Sequence, residues 1–325
     1  MESIAIKNLS RPEWLALRKR GIGGSEVAAI LGLSPWKSPL DVYIEKTSNE
    51  IEDIDTPAMY WGRALEDLVA KEFQAKSGMK IQRCNMMFIE GHSVGNIDRM
   101  ICEEGKRPVV NGEVRTDAIL ECKTASEYMA SAWGPEETDE IPDQYLCQVQ
   151  HYMGITGASV CRIAVLIGGR DFRTYTVWRD SELIGHLQES VERFWRDYIE
   201  SMTPPPPRSS DDVAKLFPRS ATKEVLASQE IEESVAQLAE VKAKAKALDV
   251  VQKELEEKIK FSMGAFDTLV NPAGKVLCSW KSNKDSVKTD WQAIAVEAGV
   301  TSEIISRHTK TIPGARPLKL KEVAV

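Results

Sequence analysis

Apolar positions change their period several times along this chain, and each change marks an element. Ser10-Arg11-Pro12-Glu13 is a capping-box signature with proline in the first turn, so a helix starts there and carries Trp14, Leu15 and Leu17 into Arg18, Lys19 and Arg20. Gly21-Ile22-Gly23-Gly24 ends it, and Ser25 reads as the cap of a second helix, SEVAAILGL, that stops near Gly32. Ser38 caps a short helix through Lys46. Thr56-Pro57 opens a longer one that runs to about Lys76 and stops at Gly78, with Leu65, Leu68, Val69 and Phe73 as its buried face.

From Lys80 the period falls to two. Residues 80–90 and 93–102 read as paired strands around Gly91-His92, with Asp98 near the end of the second. A polar run follows, with Asn111-Gly112 as a hairpin signal, and then a strand over 118–123. A loop holding Trp133-Gly-Pro leads to a helix from Pro142 to about Thr156. Strands over 159–167 and 171–178 and a long helix over 180–201 complete this part. Prolines 204–207 form a stiff, extended spacer. The expected organisation is therefore a domain over 1–203, a linker over 204–223 and a C-terminal region over 224–325. That last region opens on a long helix with a narrow apolar seam through Ile231, Val235, Leu238, Leu248, Leu255 and Ile259.

Composition narrows the class. Hydrophobic content of 42% with 28% charged residues is that of a globular protein, and no apolar run reaches membrane-spanning length. The first residues lack the basic and apolar segments of a signal peptide, so the expected location is cytoplasmic. Six dispersed cysteines without a C-x-x-C pair, and four dispersed histidines, argue against a zinc finger or an iron–sulfur cluster. The net charge of −7 is polarised: residues 271–325 carry nine Lys/Arg against five Asp/Glu. A basic tail of that kind suits DNA or a solvated docking surface equally.

The chemistry centres on Ile119-Leu120-Glu121-Cys122-Lys123-Thr124. Side chains alternate along a strand, so Glu121 and Lys123 share one face and Cys122 takes the other. If the strand bearing Asp98 is its neighbour, two carboxylates lie close enough to share a divalent ion, with the Cys122 carbonyl as a further ligand. Glu66 is either a solvated partner of Arg63, the simpler reading, or a third carboxylate aimed at the site. Gln148 and Tyr152 share a helix face, with Gln150 beside them. Arg18 and the Gly-Gly-Ser25 turn suit a phosphate, and an ordinary basic turn fits them as well. Trp36 reads as a core plug in preference to a base-stacking surface.

Helix-borne Glu, then Asp, then Glu-x-Lys, then Gln-x-x-x-Tyr resembles the PD-(D/E)xK nuclease superfamily. RPEWLALRKRGIGGSEVAAILGLSPW and YLCQVQHYM are similar to the YqaJ-like viral recombinase family, which includes the phage lambda exonuclease. The resemblance covers about residues 11–200. It implies an α/β fold with a restriction-endonuclease-like core, a central mixed sheet flanked by helices. It implies Asp98 and Glu121 as ligands of Mg²⁺ or Mn²⁺, Lys123 as the catalytic lysine and Glu66 in support. Arg18 and Ser25 would meet the 5′-phosphate of a DNA end, while Gln148, Gln150 and Tyr152 would hold water or backbone phosphate. The implied activity is 5′–3′ double-strand DNA exonuclease in phage or prophage recombination. The implied partners are duplex DNA ends, a single-strand annealing protein and further copies of the chain in a trimeric ring. An endonuclease or flap nuclease of the same superfamily, or a non-catalytic DNA-binding scaffold, are the alternatives. One departure stands out: the stretch between Asp98 and Glu121 is longer than the family's usual hairpin.

Overall fold

The computed structural model describes residues 1–50, 55–103, 108–110, 113–221, 223–311 and 317–318. The chain divides into two compact units, Met1–Leu216 and Phe217–Val325.

In the first unit β1 (Glu2–Ala5) precedes α1 (Arg11–Arg18), β2 (Ile22–Gly23), α2 (Gly24–Ile30), α3 (Pro39–Thr47) and α4 (Pro57–Ser77). The caps follow the sequence signals. Glu13 accepts the Ser10 N–H at 2.7 Å, Ser38 Oγ accepts from Asp41 N, and Thr56 Oγ1 accepts from Met59 N. Gly78, at φ +70°, closes α4 in the left-handed conformation that glycine adopts at least cost. The buried stripe of α4 is Val69, Ala70 and Phe73. Leu68 is 57% exposed, because one step along a helix turns it away from that stripe.

Period-two residues then form β3 (Ile81–Arg83), β4 (Met86–Glu90), β5 (Ser93–Asn96) and β6 (Arg99–Ile101). The two strands expected here are thus four. Next come β7 (Val109–Val110) and β8 (Glu113–Val114), paired antiparallel; the Asn111-Gly112 hairpin signal between them lies outside the described residues. The unit continues with β9 (Ala118–Ala125), a short 3-10 turn over Glu127–Ala132, α5 (Asp143–Thr156), β10 (Val160–Ile167), β11 (Asp171–Trp178) and α6 (Ser181–Phe194). The last helix runs on into a wider π turn over Trp195–Glu200. After the prolines, α7 (Ser210–Leu216) folds back on α3: Ser38 Oγ donates to Asp212 at 2.8 Å and Lys215 Nζ to Asp41 at 2.5 Å. Residues 208–216 therefore pack on the first unit.

Five strands form the central sheet in the order β11-β10-β9-β6-β3, and β1-β4-β5-β2 form a second. β9 and β10 run parallel from Ala118↔Val160 to Ala125↔Ile167, with α5 in the crossover. Alternation assigns the two faces. Ile119, Ile163 and Val165 pack with Val149 and Met153 of α5, while Leu120, Ala164 and Cys122 pack with Val69 and Phe73 of α4. The architecture is α/β, a mixed sheet flanked by helices.

The break between the sheets positions the site. β5 and β6 belong to different sheets, and Ile97-Asp98 carries the chain across. β6 pairs with β9 only at Arg99↔Leu120 and Met100↔Ile119. The ladder stops one step before Glu121, and a cleft opens there.

In the second unit Ser228 caps α8 (Gln229–Met263), a 35-residue helix. Its apolar seam, including Ile231, Leu248 and Leu255, is exposed. A hairpin of β12 (Thr268–Val270) and β13 (Val276–Ser279) follows, then α9 (Trp291–Glu297) and α10 (Ser302–His308). Among the described residues no helix is long and apolar enough to cross a membrane.

Candidate active site

Glu121 sits at the floor of the cleft on the α5 face of β9, 3% exposed. Its Oε1 accepts from Lys123 Nζ at 2.7 Å and from Gln148 Nε2 at 2.7 Å. Lys123 Nζ also donates to Gln148 Oε1 at 2.9 Å and lies 4.9 Å from the centre of the Tyr145 ring. Gln148 Nε2 reaches the Tyr152 hydroxyl at 3.0 Å, so the side chains one turn apart on α5 act as one face. Asp98 enters from the inter-sheet crossing. Its Oδ2 accepts the Cys122 N–H at 2.9 Å and so takes the amide that β6 leaves unpaired.

Charge in this cluster is unbalanced. Burial, then repulsion from Glu121 and Glu66, pushes the Asp98 pKa well above the ordinary aspartate value. Burial raises Glu121 as well, against the pull of Lys123. Burial works against the Lys123 ammonium, yet Glu121 and Asp98 outweigh it and hold its pKa above the usual lysine value. Tyr152 stays a neutral phenol, its pKa raised by burial and by both carboxylates. Glu121 Oε2 is buried with no hydrogen-bond partner, which a native core seldom tolerates. Two crowded carboxylates with a spare buried oxygen fit a hard divalent cation. Among the described residues no group of three or more His, Cys, Asp or Glu side chains gathers at ligand distance. Mg²⁺ needs no such cage, since it takes one or two carboxylates and keeps several waters.

The opposite wall of the cleft is built by the glycine turn. Arg18, Gly23, Gly24 and Ser25 line it together with Asp98, Glu121, Gln148 and Tyr152. The turn is shaped by Glu26, which is not among the residues expected at the site. Glu26 is buried at the third position of α2, where its Oε2 accepts from Gly23 N at 2.7 Å and from Lys46 Nζ at 2.7 Å. Its Oε1 accepts from Arg18 at 3.0 Å. Burial opposes ionisation of Glu26, but Lys46, Arg18 and Lys37 overcome it and hold the pKa well below the carboxylate range. Trp14 adds its ring, 5.1 Å from the Arg18 guanidinium, and donates from Nε1 to Asn96. The one local signal was a Glu three residues after the helix-capping glycine. Lys46 carried none, being one lysine among many.

The other expected residues divide. Cys122 points its thiol into the α4 face, and burial, with Asp98 close by, raises the thiol pKa. Glu66 pairs with Arg99 and Arg83. Arg63 bonds Asp55, and Glu66 accepts from Arg99 at 2.6 Å. Its charge is felt at both Asp98 and Glu121. Gln150 is a correction: its Nε2 donates to the Trp178 carbonyl at 2.7 Å and its Oε1 accepts from Asp180 N at 3.0 Å. Two positions along a helix turn a side chain by about 200°, so Gln150 faces away from Gln148.

Loss of Lys46 is expected to be costly. Lys46→Met leaves Glu26 buried with Arg18 at 3.0 Å and Lys37 at 3.9 Å as its remaining cations. Thermal melting should show a loss of about 3 kcal/mol, since breaking a buried pair strands a charge.

A mixed sheet flanked by helices thus carries Glu121 and Lys123 on its middle strand, with Asp98 beside them. Residues 13–159 match the model of the YqaJ-like viral recombinase domain. The chain is 40% identical over 197 residues to the uncharacterized protein YqaJ of Bacillus subtilis (strain 168), a match covering 59% of this chain and 57% of that protein. It therefore spans little more than half the length of that relative. Two solved structures are similar to it. The alkaline exonuclease LHK-Exo from Laribacter hongkongensis aligns at 15% identity, over 63% of this chain and 99% of that one, with a TM-score of 0.43. A phage-related exonuclease from Haemophilus somnus 129PT aligns at 15% identity, over 58% and 100%, with a TM-score of 0.40.

Proposed function

We propose that this protein is a divalent-metal-dependent deoxyribonuclease that attacks the ends of duplex DNA and trims the 5′-terminated strand. The observation that carries this is the cluster itself: Asp98 and the partnerless Glu121 Oε2 face Lys123, Gln148 and the Arg18–Ser25 wall across one cleft. Asp98, Glu121 and the Cys122 carbonyl would hold Mg²⁺, with Mn²⁺ as a substitute. The bound ion supplies an activated water and a counter-charge for the leaving oxygen. Lys123 remains an ammonium at neutral pH and stabilises charge developing on the phosphoryl oxygens; it does not act as a base. Gln148 keeps Lys123 and Glu121 in register, and Tyr152 keeps Gln148 in place. Arg18 and the open backbone at Ser25 receive the terminal 5′-phosphate. The family match supports a place in phage or prophage recombination, in the host cytoplasm, with the 3′ tail passed to an annealing protein and several copies of the chain encircling the DNA.

The test uses linear duplex with 5′-phosphate ends beside a covalently closed circle. Mononucleotides should come from the linear DNA with Mg²⁺ and none with EDTA, and the circle should survive. Lys123→Ala should slow release by roughly a thousandfold. Digestion at the wild-type rate would remove Lys123 from the mechanism, and cutting of the circle would make the enzyme an endonuclease.

A further inference from the structure

Trp36 is 65% exposed although tryptophan is among the most heavily buried residue types on average. It is not a loose surface residue. Its turn is tied on both sides: Leu33 N and Ser34 N donate to the Ala28 carbonyl, and Ser38 caps α3 through Asp41. Lys37, next in sequence, is bonded to Glu45 and lies 3.9 Å from Glu26. The indole is thus held out on a rigid support. One side of it meets Tyr145, with ring centres 6.2 Å apart. Tyr145 stacks in turn on buried Trp133, at 5.3–5.4 Å spacings with Tyr175 beyond, and carries Lys123 Nζ over its ring. A single aromatic ring therefore separates an exposed indole from the lysine that contacts Glu121.

We propose that Trp36 is a substrate-contacting residue that stacks on a nucleobase of the strand whose phosphate lies in the cleft. A base stands one sugar away from its phosphate, so a group that grips the phosphate beside Lys123 delivers a neighbouring base to this rim. Stacking is blind to sequence, because every base offers a π face, and it suits a protein that must process any DNA end. Indole on a pinned turn also loses little freedom on binding, which favours it over a flexible side chain. The core-plug reading of Trp36 fails on its exposure. This inference rests on the proposed DNA substrate but not on cleavage.

The experiment measures binding of 5′-phosphorylated oligonucleotide duplexes by wild type, Trp36→Phe and Trp36→Ala in EDTA, where no cleavage occurs. Each duplex carries one abasic nucleotide, walked inward from the 5′ end. Trp36→Ala should bind intact DNA about tenfold more weakly, and Trp36→Phe should keep most of the affinity. At one abasic position wild type should weaken by the same factor while Trp36→Ala loses nothing further. Unchanged binding by Trp36→Ala, or equal losses in both proteins at every abasic position, overturns the proposal. Melting curves of the variants guard against misfolding, and Trp36→Leu, which keeps apolar bulk but has no π face, is read in the same way if Trp36→Ala does not fold. Wild type that binds and does not cut with Mg²⁺ sinks the nuclease reading alone. Wild type that binds no DNA sinks both.

Discussion

Asp98→Asn will stabilise the metal-free protein, abolish cleavage and remove the thermal response to divalent cations. Burial and its two carboxylate neighbours raise the Asp98 pKa. The sign follows from linkage. An acid whose folded pKa lies above its unfolded value costs stability as pH rises through the unfolded value, and the cost is complete above the folded one. At neutral pH wild type bears that cost, and asparagine does not. The amide oxygen of asparagine still accepts the Cys122 N–H, so the local backbone is kept. Cations should reverse the ranking. A ligand present at a hundred times its Kd stabilises by about 2.7 kcal/mol, which is roughly 5–10 °C for a unit of this size. Melting scans against Mg²⁺ should show that rise in wild type and none in the variant, while turnover falls by roughly a thousandfold or more. A flat wild-type response with a stabilised variant would leave the carboxylate repulsion standing and dismiss the metal.

Gly24→Ala tests the opposite wall and should damage activity beyond its cost in stability. Alanine normally helps a helix by close to 1 kcal/mol over glycine. Here an added Cβ would fall 2.5 Å from Tyr152 Cε1, 2.7 Å from Cζ and 3.0 Å from Gln148 Cγ. Tyr152 is buried and its hydroxyl is held by Gln148, so the ring yields only by shifting toward the cleft or with α5. Overpacking of this kind costs about 1–3 kcal/mol, which outweighs the helix gain. Displacement of Tyr152 also frees Gln148, whose amide holds Glu121 and Lys123 together. Misplacement by about an ångström can cost a hundredfold in turnover, so kcat should fall by that order while the melting point drops only a few degrees. Tyr152→Leu added to Gly24→Ala should recover stability and leave kcat low. Wild-type kcat in Gly24→Ala would show that the glycine is there for folding alone.

Much of the local architecture was legible because its causes are local. A capping Ser10 with Glu13, the Thr56-Pro57 start and the Gly78 stop each act within one turn of helix. Glu121 and Lys123 share a face because strand alternation allows nothing else, and Gln148 and Tyr152 share one because they are one helical turn apart. Leu68 lies off the buried face of α4, since several overlapping stripes fit a long helix and only the sheet beneath chooses one. Gln150 lies off the site for a related reason: being adjacent to a site helix in sequence says nothing about its direction. Glu66 could be placed on the right helix, but its partner, Arg99, lies 33 positions away.

What the sequence by itself determined was the identity and spacing of the chemical groups and the elements that carry them. Only the tertiary structure decided that they meet. The chain leaves one sheet at Asn96 and joins the other at Arg99, and this crossing sets Asp98 against the Cys122 amide and opens the cleft at Glu121. Periodicity has no means of encoding that event, because it arises from which strands pair and where pairing stops. The same holds for Glu26 and Lys46, buried as an ion pair, and for Trp36, turned outward beside Tyr145. Each of these depends on what packs around the residue.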